Sequence, residues 1–220
     1  MEDFINSFFG ANILYIIFVV LISISVFNTR KEKYNDDLKE KINFNIEWSF
    51  LIRMICISLF LTILLGQITT YLSISKTTVN TNDILSNLFL YFISTIIVAP
   101  TCEEIVFRFG LYEYLNKKVN LIAAILITSV LFSLIHGYKF DGFIILLILS
   151  IIWNYSYLKT NNIVYPIILH LCNNLYSFMG NFYNSNTIDI LFGVVCLIIY
   201  LLLHLKNSSK KLLSARKKNE

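Results

Sequence analysis

The sequence has little from which to build turns or a water-facing surface. It contains two prolines and seven glycines in 220 residues. Charged residues make up 15%, against roughly 25% in soluble domains. Hydrophobic residues reach 56% and the mean hydropathy is +0.68. A soluble domain of this size would leave too much apolar surface in water, so that class is excluded. The cysteines, Cys56, Cys102, Cys172 and Cys196, lie in apolar segments without paired spacing, which rules out a disulfide framework and a CxxC metal site. No aromatic residues interleave with a basic stripe, so nucleic acid is not an expected partner. No basic start precedes the first apolar run. The chain opens with Glu2 and Asp3, and Phe8 to Phe27 is free of charge, longer than the 7–15 residues of a signal-peptide core. That run is expected to be a retained membrane helix.

What is there is a series of apolar runs. A bilayer core takes about 20 apolar residues per helix. Candidate spans are 8–27, 49–72, 84–112, 119–136, 142–158, 163–180 and 188–205. The expected fold class is therefore an all-α polytopic membrane protein of about seven transmembrane helices, with the bilayer as its partner. The third span is too long for one straight crossing, and Pro100 is expected to kink or break it. The fifth and sixth are short and read as tilted or partly re-entrant. Polar residues 28–47 suggest a short amphipathic helix or a solvated connection.

Basic residues favour the cytoplasmic side. With the amino terminus outside, the inner loops carry Arg30, Lys31, Lys33, Lys39 and Lys41, then Lys117 and Lys118, then Lys159, and the inner tail carries six more. The outer loops carry only Lys76 and Lys139. This alternation fits seven crossings with a cytoplasmic carboxy-terminal tail.

Against this background, ionisable groups inside spans are conspicuous, because each costs about 2.5–3.5 kcal/mol at a helix centre and such groups usually face a cavity. Glu104 and Arg108, four apart, share a helix face and are expected to form a buried ion pair. Glu103 is turned about 100° from Glu104 and is expected to face a cavity, a position suited to a general base. Phe132 and His136 share a face, so the ring can wall a pocket that His136 lines. His170 and Asn174 share another, and an imidazole with an amide can donate to a developing oxyanion. The bland readings are an ion-pair staple, an interfacial histidine and interhelical hydrogen bonding. His204 sits beside the basic tail and reads as interfacial. Glu103 with His136 and His170 could also form a His-His-Glu zinc site. Alternatively, Glu103 and a histidine could activate water without metal.

The ordered set E-E-x-x-x-R, F-x-x-x-H and H-x-x-x-N on three membrane helices resembles the CPBP family of CAAX-type proteases and bacteriocin-processing enzymes. The motif residues are Glu103, Glu104 and Arg108, then Phe132 and His136, then His170 and Asn174. The resemblance covers roughly residues 84–180, which gives three expected regions: 1–83 as amino-terminal helices and loop, 84–180 as catalytic core, and 181–220 as last helix and tail. It implies intramembrane hydrolysis of a peptide bond in a peptide or protein substrate. Glu103 and His136 would activate water, His170 and Asn174 would hold the oxyanion, and Glu104 and Arg108 would brace the site. No cofactor is required in that reading, with zinc as the alternative. Other membrane proteases are excluded by missing motifs: there is no HExxH, GxGD or GxSG. Two other classes compete, a non-catalytic membrane scaffold or immunity protein and a small proton-coupled transporter. The absence of an inverted repeat weighs against the transporter. Counting along the spans places Glu103 near the inner end of its span and His136 near the outer end of the next, a mismatch that a break at Pro100 would relieve.

Overall fold

The computed structural model describes residues 8–33, 40–71, 89, 92–180, 182 and 186–219. Within them the chain is all-α, with seven helices and no strand. They are α1 (Phe8–Lys33), α2 (Trp48–Tyr71), α3 (93–115), α4 (Leu121–Ile135), α5 (Phe140–Thr160), α6 (Val164–Met179) and α7 (Asn186–Asn219). Each corresponds to one expected span. Residues 84–88, 90 and 91 of the third span lie outside the described residues, as do 34–39 of the polar segment. The described part of that segment is helical to Lys33 and irregular over 43–47, leading into α2.

Local chemistry sets the helix ends. Asn120 caps α4 by accepting a hydrogen bond from the Ala123 N–H at 2.9 Å. Just after α4, Gly137 adopts φ +63°, a left-handed conformation open to glycine at no steric cost. Asn161 plays the same part after α5 at φ +53°. The fifth span is not short: α5 has 21 residues and, like α2 and Asn186–Ser209, is long and apolar enough to cross a bilayer.

Pro100 does not break α3. The helix runs through as alternating segments: π over Ile93–Val98, α over Ala99–Glu104, π over Ile105–Tyr112 and α over Glu113–Leu115. The wide turns absorb the proline. The Ala99 N–H bonds back five residues to the Ser94 carbonyl, so the pattern is already offset where Pro100 has no N–H to give.

Helix α2 is central, packing against α5, α6 and α7, while α3 packs against α1, α4 and α6. Phe50, Leu51, Met54, Phe107, Phe132, Leu149, Trp153, Tyr165 and Leu169 form the main core. The outward faces carry large exposed apolar side chains, including Leu191, Leu202 and Leu205 on α7, as a lipid-facing surface requires. One end of the bundle is polar. Lys41 pairs with Glu113 and bonds the Asn161 side chain, the Ile163 N–H donates to the Lys41 carbonyl at 2.8 Å, and Asn162 binds the backbone of Asn43. These are connections that the charge alternation assigns to one side.

The depth mismatch disappears when heights are measured from the turn that joins α3 to α4. Glu103 lies 12 residues before Leu115, about 18 Å along the helix, and His136 lies 15 residues after Leu121, about 22 Å along α4. Helix α4 is shorter than the roughly 30 Å apolar core of a bilayer. His136 therefore ends a short helix at the level of Glu103 instead of standing at the far surface.

Candidate active site

The three motifs meet. Glu103 Oε2 lies 3.5 Å from His136 Nε2 and 3.8 Å from His170 Nε2. Its side chain is 4% exposed, His170 3% and His136 16%, so only His136 reaches the edge of the site. Glu103 thus faces two imidazoles, one at the end of α4 and one on α6, the three side chains that the sequence offered as a possible His-His-Glu set.

The tautomers follow from the outer contacts. His136 Nδ1 sits 2.7 Å from the Phe132 carbonyl oxygen, an obligate acceptor, so Nδ1 carries the proton and donates. His170 Nδ1 likewise donates to Glu104 Oε1 at 2.9 Å. In their neutral forms both rings therefore turn Nε2 lone pairs toward Glu103. Glu103 and the two Nε2 atoms can share a proton or hold a water or a cation.

Glu104 and Arg108 form the expected brace. Arg108 Nη1 donates to Glu104 Oε1 at 3.0 Å, with both side chains fully buried. Arg108 Nη2 reaches the Ser150 hydroxyl at 2.7 Å and its carbonyl at 3.3 Å, tying α3 to α5. The guanidinium lies 4.6 Å from the Phe132 ring centroid and 5.6 Å from that of Trp153, a favourable stack in a dry environment. Phe132, fully buried, stands between Arg108, His136, His170 and Trp153, with ring centroids 4.7 Å, 5.7 Å and 5.8 Å away for the last three. It is the packing hub of these side chains.

Asn174 is held differently from its expected pose. Its Nδ2 donates to the Thr95 carbonyl at 2.9 Å. In a π turn that carbonyl would look to the N–H of residue 100, which is proline. Pro100 thus leaves an acceptor for α6, and one of the two Asn174 amide protons is committed there. The second takes no part in that bond. Replacing Pro100 by Ala restores a competing N–H. Cleavage is expected to fall while thermal stability in detergent changes little, and unchanged cleavage would show that the Thr95 contact does not position Asn174.

Several contributors carried no signal at motif spacing: Ser150 under Arg108, Trp153 stacked on His170 at 4.3 Å and 26°, and Asn173, whose amide bonds Ser58, Thr62 and the Leu169 carbonyl. Among the described residues, no three His, Cys, Asp or Glu side chains stand as a ready metal cage. Ligand atoms 2.0–2.1 Å from a tetrahedral zinc stand about 3.3–3.4 Å apart. The 3.5 Å and 3.8 Å separations are slightly wider, and closing on an ion would need the side chains to move inward.

Residues 85–176 match the family described as type II CAAX prenyl endopeptidase Rce1-like. The protein named "Putative membrane peptidase YdiL" of Bacillus subtilis is 29% identical over 168 residues, 74% of this chain and 68% of YdiL. UPF0177 protein YxdF of Lactococcus lactis is 40% identical over 82 residues, 36% of this chain and 44% of YxdF. No solved structure matches. Residues 85–176, the segment that contains all three motifs, are thus similar to Rce1-like CAAX prenyl endopeptidases, within an all-α chain whose helices include three long and apolar enough to cross a membrane.

Proposed function

We propose that the chain is an intramembrane endopeptidase that cleaves a peptide or membrane-associated protein with water activated by Glu103 and His136. The observation that carries this reading is the approach of Glu103 Oε2 to Nε2 of two histidines from separate helices, inside an otherwise apolar bundle. A water held among these acceptors gives its proton to Glu103 or His136 as it attacks the scissile carbonyl. In its imidazolium form, with Glu104 balancing the charge at Nδ1, His170 donates from Nε2 and with the second Asn174 amide proton stabilises the oxyanion; the proton taken from water then passes to the leaving amine as the C–N bond breaks. Glu104 and Arg108 keep His170 aligned. The membrane is proposed to be the bacterial cell membrane, with the basic carboxy-terminal tail in the cytoplasm.

The test uses the full chain in liposomes with two internally quenched peptides, one ending in a prenylated CAAX box and one a hydrophobic segment. Wild-type protein is expected to cleave at least one. Cleavage by Glu103→Ala at the wild-type rate would sink the proposal.

A second reading has its own observation. Both Nδ1 atoms are committed to outer acceptors, which is how metal-ligating histidines are usually oriented. The donor set of Glu103, His136 and His170 suits zinc, which when bound would supply an activated water and polarise the carbonyl. Elemental analysis of the purified protein decides: one zinc per chain, with cleavage lost to a chelator and restored by zinc, supports the metal reading. Full cleavage by metal-free protein rejects it.

A further inference from the structure

The family match begins at residue 85, yet the hydrogen bonds that hold the site continue into α2, far earlier in the chain. Trp153 on α5 is 1% exposed, and its indole lies on His170 with centroids 4.3 Å apart and planes at 26°. The indole has a single donor, and that donor is spent: Nε1–H points to the Ser58 hydroxyl at 3.3 Å. Ser58, fully buried on α2, also accepts from Asn173 Nδ2 at 2.7 Å. Asn173 in turn accepts from the Thr62 hydroxyl at 2.6 Å and donates to the Leu169 carbonyl at 3.1 Å. Three polar side chains from two helices, Ser58 and Thr62 on α2 and Asn173 on α6, thus converge behind one aromatic ring.

These contacts converge on His170. Its ring is held by the Nδ1–H bond to Glu104, the face of Trp153 and an edge contact with Phe132, of which only the Trp153 contact is stacked. A single hydrogen bond at one ring atom leaves the imidazole able to tilt about it. A stacked ring of fixed orientation removes that freedom and aims Nε2 at Glu103. Trp153 can do this only if it cannot itself rotate, and the Ser58 bond prevents that. Side chains locked by packing and outer hydrogen bonds are what hold a catalytic group in productive geometry.

We propose that Ser58 and Trp153 are positioning residues for His170. Helix α2 is on this account part of the catalytic apparatus and not only an anchor. The inference rests on the peptidase reading for its catalytic consequence, but its structural content does not.

The test reads the ring itself. The chain has three histidines, so the imidazole signals of the full-length protein, labelled with ¹⁵N-histidine in detergent, can be assigned from His136→Gln, His170→Gln and His204→Gln. In the wild type, His170 is expected to show a fixed Nδ1–H tautomer with a protected downfield proton. In Ser58→Ala, and in Trp153→Phe, which keeps an aromatic face but loses the N–H, that proton signal is expected to be lost and the two nitrogens to average. The double variant is expected to be no worse than either single, because both break one link. On the peptide that wild type cleaves, kcat is expected to drop on the order of a hundredfold with KM unchanged. A His170 signal as fixed as in wild type in both variants, whatever happens to melting temperature, would overturn the proposal and reduce the network to packing. Failure of the peptidase reading would appear elsewhere, as undiminished cleavage by Glu103→Ala.

Discussion

Replacing Glu104 by Ala is expected to destabilise the protein by about 3–5 kcal/mol, since it leaves Arg108 charged and buried with its counter-ion gone. Arg108 and Glu104 are both fully buried, and among the described residues the guanidinium otherwise donates to the Ser150 hydroxyl and carbonyl. The same change removes the acceptor of His170 Nδ1, so cleavage falls along with stability. Adding Arg108→Met to Glu104→Ala removes the stranded charge and is expected to recover much of the stability but none of the cleavage. Thermal unfolding in detergent checks both statements. A Glu104→Ala variant that melts at the wild-type temperature would contradict the brace.

The two histidines are expected to separate cleanly. His136→Ala lowers cleavage by about 10²–10⁴-fold, the usual contribution of a positioned acid–base group, while unfolding moves little. Its ring lies at the end of a short helix, 16% exposed, with Phe132 and Tyr138 as its aromatic neighbours among the described residues. His170→Ala loses cleavage to a similar degree but also stability. It removes the ring stacked on Trp153, opens a gap beside Phe132 and strips Glu104 of a donor. Kinetics and melting of the two variants, measured together, check this. Equal stability losses would mean that His136 is as deeply built in as His170.

These contrasts show how far the sequence could be read. The helices were legible because apolar runs of bilayer length have few alternatives, and the charged connections group as the alternation suggests, with Lys41, Glu113 and Asn161 gathered at one end. The brace was legible because residues four apart on a helix must be neighbours, and Glu104 and Arg108 are. What spacing could not give was contact between helices. That Glu103 meets both histidines depends on α4 being short, and that Asn174 reaches Thr95 depends on a π turn next to Pro100. The proline invited the reading of a broken helix, since nothing in a local pattern reports that a wide turn will take up the missing N–H. Ser58 and Trp153 were invisible for a simpler reason. A serine and a tryptophan in apolar helices read as packing until their partners, 95 positions apart, are seen together.

The central claim is that three side chains on three helices make one hydrolytic centre around Glu103. The most direct measurement compares purified wild type with Glu103→Gln in liposomes, using the quenched peptides and identifying any new termini by mass spectrometry. The substitution keeps the shape of the side chain and removes its basicity. The account predicts equal insertion, similar melting and a single cleavage product made by wild type alone. Cleavage by Glu103→Gln at the wild-type rate, at the same bond, would contradict it.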